Sequence, residues 1–562
     1  MSDGVAGVAP QSKIAANSET AKRFMAFTVR FSDDRGWLEF SQPHTVLRSG
    51  SAEGLKTVLT SAEAALAEGL WIAGLIPYDR SGAAIGVFEA PFLRDSFETR
   101  PFALSPLLHT VSRDEYRRAI ATIQRAIYDG DVYQVNYTVP FDVALEGDAL
   151  SCWFGFAQRT RARYQAYVED ADRRVLSWSP ELFLAFDGPT VQTRPMKGTS
   201  PPDDVRSLHD AKNRAEHVMI VDLLRNDLHR ICDDVRVSAL CAIERYPTFA
   251  TMTSTIEGCL RSGVTLYEVF NAAFPCGSVT GAPKRAAMEM IASLETHSRG
   301  AYCGAIGYLS PQRRGWWNVA IRTAQFDGER GRFDAGGGIV SDSDADAEWD
   351  EVGVKRAFLR SDTFQLWETF AGDAAPDVLY LHVERLASAA ERLEISFDRA
   401  QLQRLLTGAM QPATIVRVRL SLEGEMIVLS DPLAEPPDLV DVRMSAARVR
   451  SDDPWLQIKS SWRPAHREAW AEAQQHGCFD ALLRNERGEV TEGSRTNLFI
   501  QSGDALVTPP RESGVLPGIL RAKLIGDRRA VERVLYEHDL HAADAIYVGN
   551  SARGLLRARL QS

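Results

Sequence analysis

The spacing of hydrophobic and polar positions changes period several times along the chain, and each change marks an element. Short apolar-rich runs predict strands at Ala166-Tyr167-Val168, Leu182 to Phe186 and Tyr302 to Tyr308. Apolar residues recurring every three or four positions predict helices over Ser112 to Tyr128, Ala211 to Ile231 and Asp344 to Leu359. Strands and helices mix without regular alternation from about residue 24 to 355, so an α+β domain is expected rather than a doubly wound one. A second beginning appears near Thr363, with a strand over Phe364 to Phe370, a Gly-Asp-Ala-Ala-Pro turn and a helix from about Tyr380 to Leu393. The expected organisation is a disordered tail at 1–22, one domain at 23–360 and another at 363–562.

Composition narrows the class. A chain of 562 residues exceeds what one hydrophobic core supports, and its 45% apolar and 25% charged residues are those of an ordinary globular enzyme. The net charge of −11 disfavours binding to nucleic acid or an anionic membrane. An anionic small molecule then needs local basic groups or a metal. The seven cysteines include no C-x-x-C pair, which fits reduced thiols better than a disulfide framework or a zinc site. With no apolar signal segment and no run of eighteen apolar residues, a cytoplasmic protein is expected.

Chemistry concentrates first around Arg194-Pro195-Met196-Lys197-Gly198-Thr199. A lysine held in such a tight corner loses solvation, drops its pKa and becomes a nucleophile, although most lysines are solvated surface charges. Glu348 and Glu351 project from one face of a predicted helix, with Lys355 one turn on. Before that helix, Gly336-Gly337-Gly338 reads as a turn whose backbone N–H groups can approach an anion. Glu216 lies on another helix, and carboxylates converging from two helices are how proteins hold Mg²⁺. Taken singly, the same residues read as a plain turn and a solvated ion-pair face, and His217 as a structural histidine.

Taken in order, residues 30 to 360 resemble the chorismate-utilising enzymes, which include anthranilate synthases, aminodeoxychorismate synthase component I and isochorismate synthases. The matching stretches are Gly130 to Asn136, Ser179-Pro180-Glu181-Leu182-Phe183, Pro195 to Thr199, Ala215-Glu216-His217 on to Asp227, Pro275 to Lys284, Ile321-Arg322-Thr323, and Gly336 to Val340 through Glu348 and Glu351. The resemblance implies a β-sandwich with helices. Lys197 looks like the amine of aminodeoxychorismate synthases, whereas anthranilate synthases carry a small residue there. The isochorismate enzymes carry a base lysine at the position of Gln134, and Thr251 stands where many members have histidine.

Further roles follow from the resemblance. Lys197 would attack C2 of chorismate as the 4-hydroxyl leaves, Glu181 would be the general acid, and ammonia would add at C4 and expel the lysine. Glu216, Glu348 and Glu351 would hold Mg²⁺. Arg322, Tyr302, Thr199 and the glycines Gly336, Gly337 and Gly338 would bind substrate. No cysteine sits in a Gly-x-Cys-x-Gly elbow, so ammonia would be free or come from a separate glutamine amidotransferase subunit.

Residues 363 to 558 resemble the class IV pyridoxal-phosphate (PLP) enzymes, a two-lobed α/β fold that includes aminotransferases and aminodeoxychorismate lyase. The matching residues are His382-Val383-Glu384-Arg385, Ile458-Lys459-Ser460-Ser461-Trp462-Arg463, Val490 to Phe499, Leu516 to Arg521 and Gly549-Asn550-Ser551. Lys459 resembles the cofactor-bonding lysine and Glu492 the partner of the pyridine nitrogen. Arg385 with Ile519, Leu520, Asn550 and Ser551 resembles the phosphate site; Leu520 stands where aminotransferases often place threonine. A homodimer through this half is consistent with that fold. Joined, the two resemblances imply p-aminobenzoate synthesis for folate: amination of chorismate, then loss of pyruvate. The alternatives are an anthranilate-type synthase fused to an aminotransferase, and a synthase carrying a non-catalytic PLP-fold module.

Overall fold

The structure, a computed structural model, describes residues 27–200, 203, 205–246, 250–360, 364–435, 437–503 and 505–561. The side chains of Thr199, Ser207, His209 and residues 211–213 lie outside that description, as does the tail expected at 1–22. The chain forms two compact units, Met1–Arg360 and Ser361–Ser562.

The first unit is a sandwich of two sheets, of eleven and ten strands among the described residues, with helices on both outer faces. Alternation drives the inner contact. In Phe27–Asp33 every second residue (Phe27, Val29, Phe31) is buried, and these pack with Phe40 of the neighbouring strand and with Ala73, Phe88, Ile306 and Tyr308 across the interface. Ala211–His229 and Leu266–Ala273 cover one outer face; Arg113–Tyr128, Ala149–Thr160 and Ala345–Arg356 cover the other.

Local sequence fixes the ends of these helices. Ser112 and Glu115 form a reciprocal capping box at the start of Arg113–Tyr128. Asp344 caps Ala345–Arg356 by accepting from the amides of Asp346 and Ala347, which fixes where Glu348 and Glu351 emerge.

Two expectations need correction. Tyr302 precedes its strand, which begins at Ala305, because Ala301 to Gly304 turn back onto Arg299 and Ala320. Gly336-Gly337-Gly338 is not a turn: it lies inside the strand Arg330–Ile339, paired antiparallel with Gln134–Gly147 from Arg330↔Ala144 to Ile339↔Val135.

The second unit has two lobes. A three-stranded antiparallel sheet (Gln365–Ala371, Thr414–Ser421, Met426–Pro432) carries the helices Pro376–Arg392 and Arg399–Ala409. The other lobe is a mixed sheet of eight strands among the described residues, against which the helix Pro464–Gln475 packs through Ala469 and Ala473.

Candidate active sites

In the first unit a cavity of about 320 Å³ gathers Glu181, Lys197, Glu216, Tyr302, Arg322, Gly336, Gly337, Gly338, Glu348 and Glu351, together with Lys355, Asn136 and Ser278. Residues separated by up to 219 positions, Asn136 and Lys355, are brought together because strands of both sheets and two helices line this cavity. Thr199 lies on the same strand as Lys197, Met196–Ser200, but its side chain is outside the described residues.

The Lys197 strand pairs with Ala250–Leu260, with Lys197 opposite Met252. Thr251 Oγ1 donates to Gly198 O (2.8 Å) and Lys197 O (3.3 Å), so this threonine pins the backbone on which Lys197 is carried. Gly198 has φ +70, a conformation that favours glycine just after the lysine. Burial lowers the Lys197 amine's pKa; Glu216 opposes this and Lys355 adds to it.

Burial has the opposite sign for Glu181, 3% exposed, whose carboxyl is pushed up to about 7 against Ser278, Lys197 and the Met196 amide. One of its oxygens, Oε1, has no hydrogen-bond partner among the described residues. A carboxyl whose pKa burial raises and an amine whose pKa burial lowers thus share a cavity.

The glycines admit these groups. A Cβ at Gly338 would stand 2.7 Å from both Lys197 Nζ and Gln134 Nε2, and one at Gly337 would stand 3.2 Å from Glu348 Oε2. Here glycine clears space for side chains. Burial lowers the Arg322 guanidinium to about 10, and Tyr302 is buried with its acidity suppressed. His217 is buried, 2.6 Å from Ser254 Oγ, and burial lowers its pKa to about 4, as suits a structural histidine.

The three carboxylates feel one another: burial raises Glu348, and Glu351 and Glu216 raise it further while Ser343 and Lys355 oppose them. They are not drawn together as they stand. Ser343 Oγ donates to Glu348 (2.7 Å), and Lys355 Nζ is 2.7 Å from both Glu351 Oε1 and Gly336 O. Among the described residues no three His, Cys, Asp or Glu side chains form a ready metal cage.

In the second unit a cavity of about 380 Å³ is lined by Arg385, Lys459, Glu492, Ile519, Asn550 and Ser551. Leu520 does not line it; its side chain faces Gly549 and the Phe499–Leu524 cluster, so at most its backbone serves there. Burial, then Arg385, lowers Lys459 to about 8. Glu492 is buried, but Arg463 (2.7 Å) and His466 (2.9 Å) outweigh burial and hold it ionised.

Sequence reasoning missed a network behind Arg385. Glu368 accepts from Arg385 Nε (2.8 Å) and Nη2 (2.6 Å) and lies 2.5 Å from His382 Nδ1, while His382 Nε2 lies 2.7 Å from Ser551 Oγ. Glu368 is buried, yet Arg385 and His382 hold it down to about 2. Its signal was a carboxylate in the buried phase of the strand Gln365–Ala371.

Comparison with known proteins follows the same division. Residues 92–361 match the family model of the chorismate binding enzymes, and residues 368–560 that of amino-transferase class IV. The chain is 38% identical over 253 residues to aminodeoxychorismate synthase component 1 of Escherichia coli K12, covering 43% of this chain and 56% of that one. It is 33% identical over 301 residues to anthranilate synthase component 1 of Aeropyrum pernix, covering 51% of this chain and 68% of that one. Among solved structures, a putative 2,3-dihydroxybenzoate-specific isochorismate synthase from Bacillus anthracis shares the fold, with TM-score 0.53, 19% identity, and coverage of 60% of this chain and 98% of that one. The chain spans 56% to 64% of the length of three aminodeoxychorismate synthase relatives that it matches.

Proposed function

We propose, from the premise that this chain belongs to the chorismate-binding enzymes and carries a class IV aminotransferase unit behind that match, that it makes p-aminobenzoate from chorismate in two steps, one per unit. The observation that carries the reading is the pairing of Lys197 with Glu181 in one cavity, where burial drives their protonation in opposite directions.

In the first step Lys197 Nζ attacks C2 of chorismate. Both ring double bonds shift by one position and the C4–O bond breaks, while Glu181 gives the departing hydroxyl its proton so that water leaves. Ammonia then adds at C4, both double bonds return, and the C2–N bond to Lys197 breaks. Arg322, which lines the cavity, would hold the enolpyruvyl carboxylate as a charge-assisted pair. Magnesium, when bound, neutralises a substrate carboxylate. Glu216, Glu348 and Glu351, three carboxylates lining one cavity, would hold it together with substrate oxygens, a donor set that suits this hard cation.

The second unit's donors fit pyridoxal phosphate: a lysine of lowered pKa, an ionised buried glutamate and an arginine braced by Glu368. When bound, the cofactor supplies an electron sink next to the substrate's amine. Arg385, Ser551, Asn550 and the backbone at Ile519 would hold its phosphate, and Glu492 would keep a proton on its ring nitrogen. Lys459 would take the proton from C4 of the substrate as pyruvate leaves and the ring becomes aromatic.

No glutaminase elbow is present in the sequence, so a separate glutamine amidotransferase subunit would supply ammonia. With glutamine replacing ammonium, the purified chain alone should form no product. The roles separate by mutation. Lys197→Ala should abolish amination while the protein still converts added aminodeoxychorismate, and Lys459→Ala should accumulate aminodeoxychorismate from chorismate. Full amination by Lys197→Ala would sink the nucleophile assignment.

A further inference from the structure

The second cavity carries more positive charge than its proposed cofactor uses. Seven cationic side chains line it against two carboxylates, Glu368 and Glu492, in a chain whose net charge is −11. Four of the seven have tasks. Arg385 is bound to Glu368, Arg463 to Glu492, Lys459 is the proton carrier, and Arg495 lies 3.3 Å over the Trp470 ring. Arg417, Arg419 and Arg553 remain. Arg417 pairs with Asp431, and neither Arg419 nor Arg553 has a carboxylate partner among the described residues.

These arginines are aimed by the backbone. Arg417 and Arg419 are two apart on Thr414–Ser421, so they share one face of the small sheet, opposite Thr369 and Trp367 on the neighbouring strand. Trp367 is held beside the catalytic lysine by its amide, which donates to Lys459 O (2.9 Å). From the other lobe Arg553 faces them at the turn after Ala545–Asn550, its amide donating to Asn550 Oδ1 (3.1 Å). Burial, then the charge of Arg417, weakens Arg553's hold on its proton, so the two guanidinium groups stand within each other's field. Like charges held together across a cavity cost free energy unless an anion joins them.

We propose that Arg417, Arg419 and Arg553 form an anion subsite, with Trp367 as its flat wall, that holds the second carboxylate of a cyclic dicarboxylate amine. This rests on the function proposed above. It supplies a residue-level reason for the unit to accept aminodeoxychorismate over an amino acid with a single carboxylate.

The test uses the full-length PLP-loaded protein and two unreactive probes, isophthalate and benzoate, titrated by the change each makes in cofactor absorbance. Isophthalate should bind at least about tenfold more tightly than benzoate. Arg553→Gln and the double variant Arg417→Gln/Arg419→Gln should each lose about tenfold in isophthalate affinity, with benzoate and PLP affinities unchanged. Equal binding of the two probes, or a preference that survives in both variants, overturns the proposal. Weakened PLP binding in Arg553→Gln would also overturn it, by placing that arginine in the phosphate cup. Arginine-dependent isophthalate binding without pyruvate release from aminodeoxychorismate would leave the subsite standing and sink the lyase reading.

Discussion

At the scale of single residues, one physical effect would prepare both partners of the proposed amination. Burial disfavours charge, so it raises the Glu181 carboxyl to about 7 and lowers the Lys197 amine. A general acid works in its protonated form, so amination with saturating ammonia should fall as pH rises through about 7. Glu181→Gln should remove that limb of the profile and lower kcat by roughly 10²–10⁴-fold. A limb that persists in the variant would assign the titration to another group. Lys197, Glu181, Lys459 and Glu492 were legible in the sequence because each sits in a motif with a fixed neighbourhood. Ser278, Thr251 and Glu368 were not, since their roles arise from contacts across strands: Ser278 lowers Glu181, Thr251 pins Lys197, and Glu368 braces Arg385.

At the scale of elements, the strand Arg330–Ile339 turns a local sequence feature into a site. Its three glycines read naturally as a turn, and only the pairing with Gln134–Gly147 reveals a strand stripped of side chains where Lys197 and Glu348 approach. The two sites should respond unequally. Gly338→Ala places a methyl 2.7 Å from Lys197 Nζ and should cost about 10²-fold in kcat with the fold kept, because displacing a reacting atom by about 1 Å has that effect. Gly337→Ala meets Glu348 only at 3.2 Å and should cost less. Circular dichroism checks the fold, and equal losses would contradict the assignment.

The helices and strands themselves were largely readable. Arg113–Tyr128 carries helical periodicity and a capping box, and Leu182–Asp187 opens with an unbroken apolar run. The helix Pro376–Arg392 begins a turn before its expected start because Pro376, read as a turn residue, occupies the first helical position, where its missing N–H costs nothing.

At the scale of the whole molecule, the chain comprises two units, and each has a cavity that holds a lysine whose pKa burial lowers. The chemistry proposed for them is consecutive, since the amine installed at C4 by the first is the group the second requires. The most direct measurement is to incubate the purified chain with chorismate, Mg²⁺, an ammonium salt and PLP, and to assay p-aminobenzoate, pyruvate, anthranilate and aminodeoxychorismate together. The account predicts p-aminobenzoate and pyruvate in equal amounts, with neither formed by Lys197→Ala. Anthranilate as the product, or aminodeoxychorismate that accumulates without p-aminobenzoate, would contradict it.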